Sequence, residues 1–496
     1  MATETKSDHL NRHLFLKDLL NSRINTDSKL LSILLLVLVL CGTTSAAFSQ
    51  SIVKTLPGLT GDLPFKLETG YVSVGEWDDV HLFYYFIESE GNPSVDPLIL
   101  WLTGGPGCSG IRGVAFELGP IWFDAQHFDG KFPNFTLNPY SWTKVASIIF
   151  LDAPVGTGFS YADNAESYIS DDFLSATDTY HFLLKWLMDH PIFLSNPLYI
   201  AGESYSGIMV PLVVQNIVDG ISVGVKPVLN LQGYILGNPL TSKHDDNNAI
   251  TEFAYRHGLL SDKLYESVKH NCDGEYINTD PNNAPCQKDL TLVTECLTNI
   301  MYAQILEPSC DDSPTPRNQI LKWGGISIQD EPTDFLLLPR KTKFWCRAYD
   351  DTVLPYIWAN DDRVRQALHI RKGTKEKWTW CNETLSYTEL VNSTIDYHRN
   401  LSYTDLRVLI YSGDHDMIVP YIATHRWIDQ ALGLTVVEEW RPWFVDGQNG
   451  GYTMKYKKNG YHLTFATVKG GGHTSPEYKP KEAFAMIERW LATYDL

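Results

Sequence analysis

Apolar runs bounded by turn residues recur along most of the chain, and they predict short strands. The strand candidates are Val80–Ile87, Leu98–Leu102, Ser147–Leu151, Leu198–Ala201, Gln232–Leu236, Arg407–Tyr411 and Leu463–Val468. Several of these runs are continuously apolar, which is typical of strands buried on both faces of a mostly parallel sheet. A helical pattern over Asp171–Asp189 places an apolar face on Phe173, Leu174, Tyr180, Leu183, Leu184 and Leu187. Alternating strands and helices predict an α/β fold.

The alternation stops between Thr241 and Tyr349, where turn-rich pieces and five cysteines are concentrated. We interpret residues 241–349 as a cap insertion containing disulfides, at the sheet edge where α/β enzymes bind ligands. Within it, Pro308–Arg340 is the expected exposed and protease-sensitive linker. Residues 50–496 as a whole are expected to form a single α/β domain that carries this insertion.

The N-terminal 49 residues have the order of a secretory signal. Arg23 and Lys29 precede the apolar run Leu30–Gly42, and the small residues Thr43 to Ala47 follow it. The run is shorter than the roughly 20 apolar residues that a membrane span needs. We therefore expect a cleaved signal peptide and no stable membrane association afterwards, with an uncleaved signal anchor as the alternative.

Charge and cysteine content narrow the functional classes. The chain of 496 residues has a formal net charge of −19, which repels phosphate backbones and excludes nucleic acid as an expected partner. Seven cysteines follow the signal segment without zinc-type spacing, so disulfides are expected and a metal site is not. The odd number leaves at least one thiol without a partner in the chain. Four sequons predict glycosylated, exposed loops at Asn134, Asn382, Asn392 and Asn400.

The sharpest chemical signal is the segment Gly202–Gly207, which reads GESYSG. It lies between the strand candidate Leu198–Ala201 and a helical run that begins near Ile208. This is the GxSxG pattern of a nucleophile elbow, in which small flanking residues permit a tight strand-to-helix turn. The pattern predicts Ser204 as a nucleophile, which needs a base because a serine hydroxyl is weakly nucleophilic.

A base and an acid follow Ser204 in the chain order that this fold uses. His473 lies on a glycine-rich loop directly after the strand candidate Leu463–Val468. Asp414 and Asp416 both follow the strand candidate Arg407–Tyr411. One of them should orient the imidazole and the other should bond loop amides, and spacing alone does not choose between them.

Acyl chemistry also needs donors for a developing oxyanion. The glycine-rich segment Trp101–Ser109 continues the strand Leu98–Leu102, so its bare backbone N–H groups can serve. The second donor is expected to be the N–H group of Tyr205, the residue after the nucleophile. This machinery works without a cofactor, and none is expected.

Together these segments resemble the serine carboxypeptidase-like family. The resemblance extends from about residue 100 almost to the C-terminus, in the pieces LTGGPGCSG (102–110), FELGP (116–120), NPYSW (138–142), LDAPVGTGFSYA (151–162), GESYSG (202–207), YSGDHDMIVP (411–420) and GGGHTSPEYKP (470–480). It implies an α/β-hydrolase fold, with Asp416 as the acid of the triad. It also implies Gly105 and Tyr205 as the oxyanion donors. The disulfides that it implies are Cys108–Cys381, Cys272–Cys286 and Cys310–Cys346.

The family contains both peptidases and plant acyltransferases, and this chain has features of each. Peptidases typically carry Asn where this chain has Thr103, and that Asn helps to hold the substrate carboxylate. Glu117 and Glu203 match the two acids of the peptidase site, and Gly104 belongs to the same substrate-binding group. In contrast, LTGGPG, SYSGI, SGDHDM, GGGHTSPEYKP and WRPWFVDGQ (440–448) resemble the acyltransferase branch.

The resemblance therefore implies a transferase that moves an acyl group from a 1-O-acyl-β-glucose to an acceptor hydroxyl through a Ser204 acyl-enzyme. Both expected partners are small molecules. The alternatives are a serine carboxypeptidase active at acid pH, a hydrolytic esterase and a non-catalytic partner protein. Entry into the secretory pathway is expected from the signal segment. The resemblance points to the vacuole, and the extracellular space is the alternative.

Overall fold

The computed structural model describes residues 49–309 and 347–496. The predicted signal segment lies outside these residues except for Ser49, and so does nearly all of the predicted linker Pro308–Arg340. The implied pair Cys310–Cys346 also falls outside them. The chain from Gln50 to Leu496 forms one compact unit.

Sixteen strands are found in the described residues. They are β1 (Ser49–Val53), β2 (Leu67–Val74), β3 (Val80–Ile87), β4 (Leu98–Leu102), β5 (Ile121–Phe123), β6 (Phe135–Leu137), β7 (Ser147–Leu151), β8 (Tyr161–Ala162), β9 (Ser170–Asp171), β10 (Leu198–Glu203), β11 (Leu231–Gly237), β12 (Tyr387–Thr388), β13 (Arg407–Gly413), β14 (Thr435–Val445), β15 (Gln448–Lys458) and β16 (Tyr461–Val468).

Eleven α-helices accompany them in the same residues. They are α1 (Asp172–Asp189), α2 (Ser206–Ser222), α3 (Lys243–Arg256), α4 (Asp262–Asn271), α5 (Ala284–Cys296), α6 (Arg347–Ala359), α7 (Asp362–Ala367), α8 (Ile395–Leu401), α9 (Tyr421–Ala431), α10 (Ser475–Tyr478) and α11 (Pro480–Leu491). Among the helices of the described ranges, none has the length and apolar character needed to cross a bilayer.

The main sheet has the strand order β1-β2-β3-β7-β4-β10-β11-β13-β16-β15-β14. Its six central strands, from β7 to β16, run parallel to one another. Antiparallel pairs extend the sheet at both sides. Because the central strands are parallel, the loops after β4, β10, β11, β13 and β16 all emerge at one edge, and the chemistry-bearing motifs lie on these loops. The predicted α/β-hydrolase fold is confirmed.

The continuous apolar runs became the central strands because both of their faces are covered. The bounds predicted for β3, β4 and β7 match those of the structure, and every residue of these three strands is buried. Helix α1 begins one residue after the predicted start, because the Asp171 carboxylate caps the N–H groups of Phe173 and Leu174. Its predicted apolar face was partly wrong. Phe173 and Leu174 are exposed, and the helix instead buries Phe182 and Trp186, which face the aromatic side chains of β3.

The insertion forms helices α3, α4 and α5 with a small core of their own. Phe253, Val268 and Leu297 pack in this core with Met417, which lies in the loop after β13. The disulfide Cys272–Cys286 joins α5 to the residue that follows α4. The insertion therefore rests directly on a loop at the carboxyl edge of the sheet.

Candidate active site

Ser204 lies at a sharp turn between β10 and α2. Its backbone φ is 57°, in the left-handed region that a residue with a side chain rarely adopts. The turn needs the two flanking glycines. A Cβ at Gly202 would lie 2.6 Å from the carbonyl oxygen of Leu102, and a Cβ at Gly207 would lie 2.3 Å from that of Leu240. The strained turn raises the serine hydroxyl above the sheet edge, as the GxSxG pattern predicts.

The structure brings Ser204, His473 and Asp416 into one hydrogen-bonded chain. His473 Nε2 lies 2.8 Å from Ser204 Oγ, and His473 Nδ1 lies 2.8 Å from Asp416 Oδ2. Asp416 is fully buried, whereas the His473 side chain is 13% exposed. The buried carboxylate accepts the Nδ1–H of the imidazole, which leaves Nε2 free to take the serine proton.

The two candidate acids have separate positions. Asp414 Oδ1 accepts the N–H of Gly470 at 2.6 Å and does not contact the imidazole of His473. It therefore holds the base of the loop that carries His473. Asp416 is the acid that contacts the imidazole, in agreement with the choice that the family resemblance implies.

Asn238 is a site residue that the sequence reasoning missed. It follows β11, with φ of 42°, and its Nδ2 donates to Asp416 Oδ2 at 2.8 Å. Its Oδ1 accepts the N–H of Gly413 at 3.2 Å and the hydroxyl of Ser475 at 3.0 Å. Asn238 thus links the acid to the residues just after His473. The signal for it was present in the turn-forming Gly-Asn-Pro that ends a predicted strand.

The predicted oxyanion donors belong to two segments that meet at the nucleophile, the glycine-rich loop after β4 and the turn that carries Ser204. A Cβ added at Gly104 would lie 2.7 Å from Ser204 Cβ, so only glycine allows this approach. Gly105 adopts φ of 122°, a conformation that also favours glycine. Among residues 49–309 and 347–496, no acceptor takes the N–H of Gly105 or Tyr205. Both groups are therefore available to an oxyanion, and their role as donors remains a prediction.

The loop that carries Gly104 and Gly105 is anchored by a buried carboxylate. Asp152, at the end of β7, accepts the hydroxyl of Ser109 at 2.7 Å and the N–H groups of Gly110 and Phe159 at 2.8 and 2.9 Å. Burial raises the pKa of Asp152 to about 6 despite these bonds. The disulfide Cys108–Cys381 fastens the same loop from the other side.

The sequence of this chain matches a known family of enzymes. The serine carboxypeptidase family model (peptidase S10) matches residues 57–493. The chain belongs to the serine carboxypeptidase family. Serine carboxypeptidase-like 8 of Arabidopsis thaliana is 45% identical over 444 residues, covering 90% of this chain and 95% of that protein. Serine carboxypeptidase-like 17 of the same plant is also 45% identical and is covered to 93%.

A solved structure supports the fold independently. The prohormone-processing carboxypeptidase Kex1(delta)p from Saccharomyces cerevisiae superimposes with a TM-score of 0.68, covering 89% of this chain and 95% of that one. The sequence identity is 19%, so this likeness concerns the fold alone. The sequence comparisons thus show the family, and the solved structure supports the fold.

A buried acid pair lies next to the nucleophile of this family member. Glu203 directly precedes Ser204, and Glu117 comes from a short π-helical turn, Gly113–Glu117. Each carboxyl group influences the pKa of the other, and the Oε2 atom of each is buried with no partner among the hydrogen bonds of the described ranges. A proton held between the two groups would satisfy both. Burial, followed by the neighbouring Glu117, raises the pKa of Glu203 well above its usual range. Burial also raises the pKa of Glu117, although Arg112 opposes this shift.

Arg112 ties this acid pair to the loop of the base. Its Nε donates to Glu117 Oε1 at 2.6 Å and its Nη2 donates to Glu477 Oε2 at 2.8 Å. The guanidinium also lies 5.2 Å over the ring of Trp380. Glu477 is four residues beyond His473 and contacts a second arginine, Arg347, at 3.2 Å. The sequence did not indicate Arg112 as a site residue. Its partner Glu477 lies far from it in the chain, and only the fold brings the two side chains together.

Thr103 occupies the position where the peptidases typically carry Asn. Its side chain is buried, and within the described ranges its hydroxyl has no hydrogen-bond partner. It lines a small cavity with Pro106, Tyr205 and Tyr387. The structure therefore brings Thr103, Gly104, Glu117 and Glu203 to the surroundings of Ser204, as the resemblance implies.

The remaining predicted sites are distributed over the surface and the loops. Two implied disulfides, Cys108–Cys381 and Cys272–Cys286, are confirmed, and Cys296 is an exposed free thiol. Asn134, Asn392 and Asn400 are exposed. Asn382 is half-buried, with its Nδ2 bonded to the carbonyl of Gly156. The loop prediction was wrong for Asn400, which lies in the last turn of α8 because that helix buries His398 and Leu401.

In the part of the chain that the structure describes, no group of three or more His, Cys, Asp and Glu side chains is arranged to hold a metal ion. Ser204, His473 and Asp416 supply nucleophile, base and acid from the chain itself. This is the arrangement of a serine nucleophile with an adjacent imidazole base and an orienting acid.

Proposed function

We propose that this protein is an acyltransferase that moves an acyl group from a 1-O-acyl-β-glucose to the hydroxyl of a small acceptor metabolite. The acyl group is a phenolic or similar acid. The family is that of the serine carboxypeptidases, and the proposal concerns which acyl chemistry this member performs.

In the first half of the reaction, Ser204 Oγ attacks the ester carbonyl and its proton passes to His473 Nε2. Asp416 stabilises the imidazolium that forms. The N–H groups of Gly105 and Tyr205 donate to the oxyanion, and one such donor typically contributes about 2.7–4 kcal/mol. The bond between the acyl carbon and the anomeric oxygen then breaks, His473 gives its proton to that oxygen as glucose leaves, and the acyl group stays on Ser204.

In the second half, the acceptor hydroxyl attacks the acyl-enzyme. His473 takes the acceptor proton and returns it to Ser204 Oγ as the new ester leaves. The acceptor must react faster than water, and a bound acceptor achieves this through proximity and orientation. The insertion rests on the loops of the site, so it can contribute walls to the acceptor pocket.

The observation that carries the proposal is the contact between Arg112 and the acid pair. Recognition of a peptide C-terminus requires hydrogen-bond donors for its carboxylate. Arg112 lies 2.6 Å from Glu117 and favours the ionised form of that side chain, which only accepts hydrogen bonds. The proton of Glu203 is engaged by Glu117. A proton held between the two carboxyl groups is not directed at a substrate, so the pair is poorly suited to bind a substrate carboxylate.

Thr103 supports the same proposal. An Asn side chain offers a planar amide with two N–H donors, whereas Thr offers one hydroxyl. A hydrogen bond to a charged group contributes about 1.5–3 kcal/mol, so replacing the amide weakens the capture of a carboxylate.

One observation favours the second candidate, a serine carboxypeptidase active at acid pH. The buried pair Glu117 and Glu203 is intact and retains a proton. Acidification adds a second proton to the pair and would create a donor for a substrate carboxylate. Arg112 opposes this step, because a second proton would leave its charge without a carboxylate partner on Glu117.

We also propose entry into the secretory pathway, glycosylation and a vacuolar or extracellular destination. The two disulfides support an oxidising compartment. The proposed partners are a small acyl-glucose donor and an acceptor alcohol.

A paired assay of purified, glycosylated protein tests the function. One reaction contains 1-O-acylglucoses with a pool of acceptor metabolites, and the other contains blocked dipeptides at acid pH. Mass spectrometry identifies the products, and Ser204→Ala is the control. We expect serine-dependent transfer products without dipeptide cleavage. Serine-dependent release of C-terminal amino acids would instead assign a carboxypeptidase.

A further inference from the structure

A short loop of the insertion lies between the two loops that carry Asp416 and His473. We call this loop the strap, residues Ile300–Pro308, whose ends pair with each other in an isolated β-bridge. It follows α5 and contributes no member of the triad. Its position at the centre of the acid–base machinery is not explained by the reaction steps above.

The strap bonds to the backbone on both sides of the acid. The N–H of Met417 donates to the carbonyl of Tyr302 at 2.8 Å, and the N–H of Ile305 donates to the carbonyl of His415 at 3.1 Å. These two residues of the acid loop flank Asp416 directly. The side chain of Met417 is buried in the core of the insertion, so backbone and side chain fasten this loop together.

The strap also bonds to the base. The N–H of His473 donates to the carbonyl of Ala303 at 2.7 Å. Gly472 permits this approach, since a Cβ at that position would lie 2.4 Å from the same carbonyl oxygen. The strap therefore holds both members of the acid–base pair through the main chain.

Gln304 provides the side-chain anchor. It is 5% exposed, and its Nε2 donates to the carbonyl of Gly470 at 3.0 Å. Its Oε1 accepts the N–H of Leu306 at 3.3 Å. Both ends of the amide are thus used, one toward the strap itself and one toward the loop of His473.

The loop of His473 needs such an anchor because three consecutive glycines precede the histidine. Glycine loses more conformational freedom than any other residue when it is ordered. Loop-to-loop bonds, such as the N–H of His415 to the carbonyl of Gly471 at 2.9 Å, fix the two loops against each other. The strap fixes both of them to the insertion.

We infer that the strap is a positioning element that sets the His473–Asp416 geometry, and that Gln304 is its positioning residue. The insertion then takes part in catalysis as well as in any contact with substrate. The inference rests on the triad chemistry of the proposed function but not on the identity of the acyl donor or acceptor.

The test measures how fast a fluorophosphonate labels Ser204 in the full-length, secreted protein. In this reaction the phosphorus–fluorine bond breaks, a bond from Ser204 Oγ to phosphorus forms, fluoride leaves and His473 takes the serine proton. The rate therefore reports activation by the triad without requiring the natural substrate. Misplacement of a catalytic group by about 1 Å can cost about 100-fold, and we expect Gln304→Ala to slow labelling by about tenfold or more.

Gln304→Glu adds a second measurement, the pH dependence of the labelling rate, which tests the hydrogen bond from residue 304 to Gly470 directly. Ionised Glu cannot donate to the carbonyl of Gly470, but the protonated acid has nearly the shape of Gln and restores the donor. We expect the labelling rate of Gln304→Glu, divided by that of the unaltered protein, to rise toward one as the pH falls. Gln287→Ala is the matched control in the same insertion, since the side-chain amide of Gln287 donates to the hydroxyl of Thr279 and the carbonyl of Asp280, far from the loops of the triad in the chain.

The outcomes separate the two proposals. Equal labelling of the unaltered protein and both Gln304 variants would overturn the positioning role of the strap. A Gln304→Glu ratio that stays low at every pH would overturn it as well, and this holds even where Gln304→Ala fails to fold. Absence of labelling in the unaltered protein would contradict the proposed triad function instead.

Discussion

Buried carboxyl groups lie on two sides of the catalytic serine, and they are stabilised in different ways. The first system is Asp416 with its hydrogen-bond donors, and the second is the pair Glu117 and Glu203 with Arg112. Asp416 accepts hydrogen bonds from His473, Asn238 and the N–H of Ile418, all at 2.8 Å. Glu117 and Glu203 instead have pKa values raised by burial, and Arg112 is a counter-ion for Glu117. A buried carboxylate is tolerated when donors surround it, and otherwise it takes up a proton or a cation. The first system is therefore built to orient a base, and the second is built to stay internally neutral.

The largest effect that separates the two systems is expected at the triad. Asp416→Asn keeps the shape of the side chain but offers an amide donor to His473, which favours the wrong tautomer. We expect the turnover rate to fall by about 10⁴-fold with little change in substrate affinity, as measured by steady-state kinetics.

Asp414→Asn is the matched control for that loss. Its Oδ1 can still accept the N–H of Gly470, so we expect a change of less than about tenfold. Comparable losses in the two variants would contradict the assignment of Asp416 as the orienting acid.

The stability of two variants indicates which carboxyl group of the pair Glu117 and Glu203 is ionised. Glu117→Gln removes one of the two carboxylates to which Arg112 donates and leaves Glu477 as its partner, so the loss of this hydrogen bond between charged groups should cost about 1.5–3 kcal/mol. Glu203→Gln mimics the protonated acid and should cost about 1 kcal/mol. Denaturant unfolding measures both values, and the reverse order would show that the proton resides mainly on Glu117.

Asp152 combines features of both systems, because it accepts three hydrogen bonds and still has a raised pKa of about 6. Its folded state binds a proton more tightly than the unfolded chain, where the pKa is about 3.9. Its contribution to the free energy of unfolding therefore falls as the pH rises from about 4 to about 6. The stability of the unaltered protein relative to Asp152→Asn should fall by about 3 kcal/mol over this window. A pH-independent difference would contradict the raised pKa.

The smallest predicted effect concerns specificity. Arg112→Gln should free the pair Glu117 and Glu203 to protonate fully and to donate to a carboxylate. The comparison uses ester substrates that carry a free carboxylate and the same esters in which that carboxylate is an amide. We expect the ratio of kcat/KM for the first to kcat/KM for the second to rise about tenfold at pH 5. This change is equivalent to one hydrogen bond to a charged group.

Arg347→Gln is the control for the specificity change, since Arg347 contacts Glu477 and Glu307. It should leave the preference between acid and amide unchanged. An equal rise in both variants would mean that the net charge of the region, rather than contact with Glu117, sets the specificity.

Much of the fold was predictable because its central strands are continuous apolar runs. The hairpin β14–β15 was not, since its residues alternate irregularly between exposed and buried positions. The exposed Phe173 and Leu174 show a second limit. An apolar side chain on a helix identifies a candidate face, but the contact with the sheet decides which face is buried.

The site was predictable where the chemistry resides in side chains that follow strands. Ser204, His473 and the pair of candidate acids all have this signature. The strap has no such signature, because its contacts are made by backbone groups that every residue possesses. Arg112 was missed because its role depends on Glu477, which lies far from it in the chain and close to it in the fold.

The most direct test of the central claim is to observe the acyl-enzyme and its fate. The protein is mixed rapidly with a 1-O-acyl-β-glucose, quenched and digested, and the peptide that contains Ser204 is weighed by mass spectrometry. We predict an acyl adduct on Ser204 that disappears faster when acceptor alcohols are added, with a matching yield of the new ester. No adduct from the glucose ester, together with serine-dependent release of amino acids from dipeptides, would contradict the account.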